Sequence, residues 1–298
     1  MKRFLSVLFL TLLSHLFLFA TQSLGKLDFL RCEYLVTPLG VDVPTPRFSW
    51  RLPAHLNKQQ AYQVIVGTDS VAVANGTGGA WDSGKILSSE VLTVYAGKAM
   101  QPYTRYYWKV SVWDDANNNY TSAVSHFETG LMGMHNWKGS WISDTHDYRL
   151  KPAAYFRKAF DAGRKIRQAR AYIAVAGLYE LSINGTRVGD HRLDPAYTRF
   201  DRRTLYLTHD ITQLLQQGDN VVGVLLGNGW YNHQSTAVWN FDQAPWRGRP
   251  KFCMDIRIVY EDGKEEFVFT GSDWKTSLSP VIFNSIYTAE HYGARKEQ

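Results

Sequence analysis

The chain has 298 residues, of which 45% are hydrophobic, 14% aromatic and 20% charged, and its formal net charge is +6. This composition is typical of a well-packed soluble protein, and the length leaves room for two domains of ordinary size. The basic residues fall in short clusters that apolar strand residues interrupt, which argues against a nucleic-acid-binding protein.

The chain begins with a pattern typical of a secretory signal peptide. Lys2 and Arg3 precede a mostly apolar stretch over residues 4–20, with cleavage expected between Ala20 and Gly25. A retained membrane anchor is the alternative, but it needs about 20 continuous apolar residues, and polar residues interrupt this stretch. We therefore expect a secreted or periplasmic protein with no membrane span after cleavage, and residues 1–25 are excluded from the fold predictions.

Residues 26–130 predict a first, all-β domain. The run Arg105–Asp114 alternates strictly, with Tyr106, Trp108, Val110 and Val112 on one face, as expected for a half-buried strand. With the preceding strand-like runs and the closing F-x-T, this pattern resembles a fibronectin type III or immunoglobulin-like sandwich. A glycine-rich linker follows at residues 131–137.

Residues 138–298 predict a second sandwich, and its central hairpin spans residues 178–188. Tyr179, Leu181 and Ile183 alternate with polar residues. Asn184-Gly185 then supplies the pair that best tolerates the two positive φ angles of a type I′ turn. Another hairpin is predicted where Asp262-Gly263 separates two alternating runs.

Two further elements are predicted after this hairpin. Asp210 suits the N-cap of a short helix over residues 211–217, and Gly218 suits its left-handed C-terminal position. The almost wholly apolar run Val221–Leu226 is too short for a useful helix. It predicts a strand that is buried on both faces.

The two cysteines, Cys32 and Cys253, fall in different predicted domains and in strand-like runs. A disulfide is the alternative in an exported protein, but buried free thiols are the expected state.

Three runs of the second domain carry a resemblance to a known family. They are AYIAVAGLYELSINGTRVGD, LDPAYTRFDRRTLYLTHDIT and GDNVVGVLLGNGWY. Together they resemble the N-terminal jelly-roll (galactose-binding-like) β-sandwich of bacterial α-L-rhamnosidases. The DIT…L…GDN pattern is also shared with sugar-binding jelly rolls of β-galactosidase-like enzymes, whereas YTRFDRRTLYLT and GNGWY favour the rhamnosidases. Near the end of the chain the family usually has Gly and Asp where this sequence has Ala289 and Gly293.

The resemblance implies an enzyme that hydrolyses terminal α-L-rhamnose with inversion, using two carboxyl groups in a C-terminal (α/α)6 barrel. The sequence contains neither the long amphipathic helices nor the acidic signature of that barrel. We therefore expect no catalytic residue in this chain and no activity from it alone, with the barrel and rhamnose-containing glycans as its partners.

A carbohydrate site is predicted in the second domain at Asp190, Asp194, Asn228 and Trp230. Asp-rich loops suit calcium, which some sandwiches of the resembled family use to bind rhamnose, so calcium is the one cofactor considered. Turn chemistry explains the acidic residues better, and core packing or a contact with the barrel explains Trp230 equally well. Likewise, the chain's many aromatic residues fit core packing better than sugar stacking.

Three functions follow. The first is the accessory region of an α-L-rhamnosidase. The second is a stand-alone rhamnose-binding module, which sugar affinity of the isolated chain would reveal. The third is the sugar-binding region of a β-galactosidase-like enzyme, against which the order of the two sandwiches argues.

Overall fold

The computed structural model describes residues 27–236 and 239–297. The predicted signal peptide, residues 1–25, lies outside the described residues. Within them the chain is all-β and forms two compact units. The first consists of residues 27–34, 47–97 and 107–125, and the second of residues 35–46, 98–106 and 126–297. The domain limits predicted above, 26–130 and 138–298, stay a prediction.

The first unit contains short antiparallel strands and one helical turn. They are β1 Asp28–Cys32, β2 Arg47–Arg51, β3 Ala61–Gly67, α1 Ser70–Ala74, β4 Trp81–Asp82, β5 Ile86–Leu87, β6 Leu92–Val94, most of β7 Arg105–Trp113, and β8 Asn119–Thr121. One sheet has the order β1-β2-β6, and the other runs β4-β3-β7-β8 with β5 also paired to β3.

Strand β7 confirms the alternation that the sequence predicts. Tyr106, Trp108, Val110 and Val112 are all buried, and the residues between them are half-buried. The indole of Trp108 lies 4.6 Å from the ring of Phe48 on β2, centroid to centroid. Large aromatic rings from two sheets thus form the core of an immunoglobulin-like sandwich.

The second unit holds the remaining strands and three single turns of 3₁₀ helix. The strands are β9 Ser125–Glu128, β10 Ala154–Ala162, β11 Ile166–Ala176, β12 Leu178–Ile183, β13 Thr186–Arg187, β14 Tyr206–Asp210, β15 Gly218–Gly227, β16 Lys251–Tyr260, β17 Glu265–Phe269, β18 Lys275–Leu278, β19 Val281–Ser285 and β20 Ala289–Tyr292. The 3₁₀ turns are Met134–Asn136, Phe241–Gln243 and Ala294–Lys296.

Two antiparallel sheets of this unit pack face to face. One has the order β13-β12-β15-β10-β18, and the other has the order β14-β11-β16-β17. Their inner faces meet in one hydrophobic core, because inward-pointing residues alternate along each strand. Its members include Phe156, Leu181, Ile183, Val222, Val224, Ile173, Phe252, Met254 and Ile256. The predicted β-sandwich is confirmed.

The central hairpin has the predicted turn. Asn184 and Gly185 have φ angles of 50° and 80°, and β12 pairs with β13 from Ile183 to Thr186 across them. Two positive φ angles in a two-residue loop define the type I′ geometry, which matches the twist of the flanking strands.

The helix predicted after this hairpin is absent. Residues 211–217 form no α-helix: the carbonyl of Ile211 accepts from the amides of Leu214 and Leu215, which closes a single turn. The local signals are present, since Asp210 Oδ1 accepts from the Thr212 amide at 3.0 Å and Gly218 has φ 90°. Forming the first turn of a helix costs more conformational free energy than its first hydrogen bond contributes. A segment of this length adds too few further hydrogen bonds to offset that cost.

Strand β15 is buried on one face only. Val222, Val224 and Leu226 are buried in the core, whereas Val221 is 37% exposed and Leu225 half-buried. The prediction of burial on both faces therefore fails, because Val221 and Leu225 line an open cavity on the outer face of the sheet.

Both cysteines are free and buried, as predicted. Burial raises the pKa of the Cys32 thiol to about 12 and that of Cys253 to about 11.

Candidate functional site

Three loop segments meet at one end of the second sandwich. Ala176, at the end of β11, pairs with Lys251 at the start of β16, and Ala174 of β11 pairs with Tyr206 at the start of β14. At the end of β15, Leu226 pairs with Ala154 at the start of β10. The chain before β10, the chain before β14 and the chain between β15 and β16 therefore emerge at the same place. We call residues 141–153, 188–205, 228–236 and 239–250 the loop end. All four predicted site residues belong to it.

Asp190 and Asp194 line one cavity of the loop end, whose volume is about 230 Å³. The Asp190 side chain is fully exposed, whereas that of Asp194 is 22% exposed. The Asp194 Oδ2 atom lies 3.1 Å from Nδ1 of His191. Only one of the two carboxylates is therefore held in a fixed position.

The wall of this cavity carries a polar pair that the sequence did not indicate. The hydroxyl of Tyr179 lies 2.7 Å from Nε2 of His209. Burial raises the pKa of Tyr179 and lowers the pKa of His209, so both side chains are neutral at pH 7. The alternation of β12 placed Tyr179 on the core face, and only the fold brings its hydroxyl to His209.

The residues of this cavity do not fit a calcium ion. Calcium takes about six to eight oxygen ligands. The cavity offers three carboxylates, and two of them are already engaged, Asp194 by His191 and Glu180 by Arg192. Across residues 27–236 and 239–297, no group of three or more His, Cys, Asp or Glu side chains is placed to hold a metal ion. What the arrangement can do is exchange hydrogen bonds with a neutral polar ligand.

Asn228 acts as an internal anchor. Its side chain is 2% exposed, and its amide N–H donates to Asn284 Oδ1 at 2.6 Å. Its Nδ2 donates to the Asn284 carbonyl at 3.1 Å, while its Oδ1 accepts from Asn232 Nδ2 at 3.0 Å. These bonds tie the loop after β15 to β19, and they engage the backbone amide and both polar side-chain atoms of Asn228.

Trp230 lies in a cluster of aromatic rings rather than in the cavity of Asp190 and Asp194. Its indole stacks on His233 with 6.1 Å between ring centroids. It also contacts Tyr197, Phe241 and Tyr287 at 6.1, 5.2 and 5.4 Å. Edge-to-face packing of this kind stabilises a loop. The structure thus brings the four predicted residues to one end of the sandwich and divides them among three environments; their role in sugar binding stays a prediction.

A larger open cavity, of about 690 Å³, lies on the outer face of the five-stranded sheet. Tyr155, Arg157, Ser182 and Lys275 are among its lining residues. Tyr155, Arg157 and Ser182 alternate with core residues along their strands, so their outward direction could have been read from the sequence. Lys275 lies on the fully exposed strand β18, and its position beside them depends on the strand order.

Asp255 is a carboxyl group whose pKa burial raises. It is fully buried, and its two oxygens accept from the amides of Lys138 and Gly139, both at 2.8 Å. A glycosidase needs a carboxylic acid that stays protonated beside the leaving group. Asp255 is occupied by backbone amides instead, and it anchors the segment before β10.

An immunoglobulin-like sandwich and a jelly-roll-type sandwich with a loop-end cavity define the class of this protein. Residues 27–133 match the model of the Rha78A-like, N-terminal immunoglobulin domain. Residues 164–298 match the model of the alpha-L-rhamnosidase N-terminal domain. The two domains belong to the N-terminal region of the α-L-rhamnosidase family.

Individual relatives agree with this assignment. An alpha-L-rhamnosidase of Formosa agariphila is 34% identical over 290 residues, covering 87% of this chain and 30% of the relative. The structure of an alpha-L-rhamnosidase from Dictyoglumus thermophilum has a TM-score of 0.85 at 38% identity, with 92% of this chain and 32% of that one covered. An alfa-L-rhamnosidase from Aspergillus terreus gives a TM-score of 0.79 at 27% identity over the same shares. The chain thus spans about 30% of the length of these relatives.

The described part of the chain contains no helix that is both long and apolar enough to cross a membrane.

Proposed function

We propose that this chain is the non-catalytic N-terminal part of an exported α-L-rhamnosidase, whose full-length form hydrolyses terminal α-L-rhamnose with inversion. The observation that carries this proposal is the match of both sandwiches to domains of that N-terminal region. The matched relatives are about three times longer than the stretch they share with this chain. The catalytic step is therefore assigned to sequence beyond these two domains.

The chemistry of the described carboxyl groups supports a non-catalytic role. Inversion needs a protonated acid and an opposed carboxylate about 6.5–9.5 Å apart across a bound sugar. In the cavity of Asp190 and Asp194, the third carboxylate is Glu180, whose Oε1 lies 3.4 Å from Arg192 and 3.8 Å from Arg187. Two arginine side chains thus engage this carboxylate as an ion-paired group on the wall of the cavity.

An activity assay tests the catalytic part of the proposal. The purified chain is incubated with an aryl α-L-rhamnoside, and we expect no turnover. Adding the separately expressed part of the Formosa agariphila relative that lies outside the shared stretch should yield activity that neither part has alone. Turnover by the chain alone, abolished by Glu180→Gln or Asp194→Asn, would overturn the proposal.

Export is tested separately. Residues 1–25 are fused to a phosphatase reporter that is active only outside the cytoplasm, and we expect activity. A matched control carries Lys2→Glu and Arg3→Glu, which remove the positive charge before the apolar stretch. The control fusion should be inactive. If the fusion with the natural residues 1–25 is inactive as well, export through this segment is contradicted.

The same assays address the alternative functions. A stand-alone binding module would bind sugar but give no activity with any added barrel. The matched families do not favour a β-galactosidase-like enzyme. Hydrolysis of aryl galactosides by the chain, after the missing part of the relative has been added, would support that alternative.

A further inference from the structure

A second cavity of the loop end, of about 350 Å³, lies between segments that are far apart in sequence. Trp141 comes from the segment before β10, Phe200 from the loop before β14, Tyr231 from the loop after β15, and Trp246 from the chain before β16. Four aromatic side chains thus line one small cavity. Its volume is at the low end of the roughly 300–1,000 Å³ that small-molecule sites span.

The aromatic rings are held by contacts with one another and with a cation. The Nζ atom of Lys251 lies 5.7 Å from the ring centroid of Trp141 and 5.9 Å from that of Tyr231. Phe200 packs edge-on against Tyr231 at 5.2 Å. Trp141 is nevertheless 42% exposed. A large indole that stands open beside a cavity offers a flat apolar surface to a ligand.

Polar groups of both signs complete the lining. Asp201 is fixed by Arg199, whose Nε and Nη2 atoms donate to its two oxygens at 2.9 and 3.0 Å. The Asp201 side chain is still 32% exposed. The Thr204 hydroxyl can donate or accept, and the Lys251 ammonium can donate. The cavity therefore offers an ionised acceptor and a charged donor beside its aromatic rings.

These features together select one ligand class. A purely apolar ligand would cover the Lys251 ammonium and the open side of the Asp201 carboxylate without hydrogen-bonding to either group, which costs free energy. An anion would face the Asp201 carboxylate. A neutral polyhydroxylated ring instead has apolar C–H edges for the indole and hydroxyl groups for the acceptor and the donor.

We propose that this cavity binds one pyranose residue of a neutral glycan. The C–H face of the sugar lies against Trp141 and Tyr231, and neighbouring hydroxyl groups hydrogen-bond to Asp201 and Lys251. The site is separate from the cavity of Asp190 and Asp194. The proposal of a sugar site is independent of the proposed function, because sugar binding in this cavity requires no hydrolysis.

Indole NMR of the full chain tests the site. The ten tryptophans are labelled with nitrogen-15, and the signals of Trp141, Trp246 and the exposed Trp239 are assigned by substitution. The probes are methyl pyranosides of L-rhamnose, D-galactose, D-glucose and D-mannose at millimolar concentration. We expect at least one sugar to shift the Trp141 and Trp246 signals saturably, while Trp239 stays unchanged.

Two variants and a matched control decide the outcome. Asp201→Asn should weaken binding about tenfold or more, because a hydrogen bond to a charged group contributes about 1.5–3 kcal/mol. Trp141→Ala should weaken it by a similar factor, with its remaining indole signals reporting an intact fold. Glu261→Gln, at an exposed carboxylate that lines neither cavity, should leave affinity unchanged. The proposal is overturned if no pyranoside moves the Trp141 and Trp246 signals, or if Asp201→Asn binds as well as the parent chain. Hydrolysis is not a readout, so either failure is distinct from failure of the proposed function.

Discussion

The guanidinium of Arg170 and the carboxylate of Glu128 form a buried, two-pronged ion pair. Arg170 Nε donates to Glu128 Oε1 at 2.7 Å and Nη2 donates to Oε2 at 3.1 Å, with each side chain 2% exposed. Arg170 also pairs with Asp210 Oδ1 at 2.7 Å. Such a pair joins β9 to β11 within the second unit, and its two hydrogen bonds fix the relative position of these strands.

Removing one partner of this pair should be costly. Glu128→Leu and Arg170→Met should each lower the free energy of unfolding by about 3 kcal/mol, because each removes both hydrogen bonds of the pair from a buried charge. The remaining partner, Asp210 for Arg170 or Arg105 for Glu128, is partly exposed. The double variant should lose at least about 1 kcal/mol less than the sum of the two single variants. Urea unfolding measures all three. For the exposed pair of Lys165 and Glu261, single changes should stay within about 0.5 kcal/mol. Additive losses at Arg170 and Glu128 would contradict this prediction.

Gly185→Val should destabilise the hairpin. A Cβ atom at Gly185 would meet no heavy atom within 4 Å, but φ is +80°, where a β-branched residue is strained. We expect a loss of more than about 1 kcal/mol in the free energy of unfolding. Gly185→Asn is the matched control, since Asn tolerates positive φ, and it should lose less. Equal stability of the Val variant and the parent chain would remove the turn assignment.

Ala289→Gly should stabilise the protein. Ala289 has φ +62° and lies at the position where the resembled family usually has Gly. A left-handed conformation costs a non-glycine residue about 1–2 kcal/mol, part of which the greater flexibility of glycine in the unfolded chain offsets. A gain of about 0.5–1 kcal/mol in urea unfolding is therefore expected. Ala153→Gly, at a buried position without positive φ, should instead lose stability. A loss at Ala289 as well would show that the residue has no strain to relieve.

His209 should make the folded state sensitive to mild acid. Burial is the main reason that its pKa falls below the ordinary value of 6.5; the nearby Asp194 opposes the shift and His191 adds to it. Since the folded state takes up the proton less readily than the unfolded state, stability is full above pH 6.5 and is lost as pH falls below it, by up to about 1.4 kcal/mol per pH unit. His126 and His233 act in the same direction. Urea unfolding at pH values between about 7.5 and 5 should show a shallower decline for His209→Gln than for the parent chain. An unchanged slope would contradict this explanation.

Rhamnose binding at Asp190, Asp194, Asn228 and Trp230 remains the prediction from the sequence. Calorimetric titration of Asp201→Asn with L-rhamnose removes the contribution of the aromatic cavity. We expect the Asp201→Asn variant to bind L-rhamnose weakly, at millimolar concentration, through the predicted site. Adding Asp194→Asn to this variant should abolish the binding. A chelator should change nothing, because the cavity lacks a calcium ligand set. Absence of heat in the Asp201→Asn background would leave these four residues structural.

Local patterns predicted much of the fold. The alternation in β7, the Asn184-Gly185 turn and the hairpin at Asp262-Gly263 all depend on neighbours in sequence, and they are present as predicted. The failures at residues 211–217 and at β15 have another cause. Whether Val221 is covered depends on which strands and loops lie over the outer face of its sheet, and no local pattern contains that information.

The loop end was harder to predict for the same reason. Asp190 and Asp194 line the same cavity, and only three residues lie between them in the sequence. Tyr179 meets His209, and Trp141 meets Lys251, only through strand order, since these pairs are 30 and 110 residues apart. Asn228 was predicted to bind sugar. The inward direction of its backbone amide depends on Asn284, which accepts the hydrogen bond of that amide and is distant in the sequence.

The two buried thiols have a practical consequence for all of these experiments. Because the thiolate is the reacting species, the raised pKa values of Cys32 and Cys253 make both nearly inert to maleimide reagents at neutral pH. A cysteine introduced at Trp239, whose side chain is 74% exposed, would react far faster than either. A single fluorophore or spin label could thus be attached at the loop end with the native cysteines left in place, and it would report ligand arrival and loop motion in the otherwise unaltered chain.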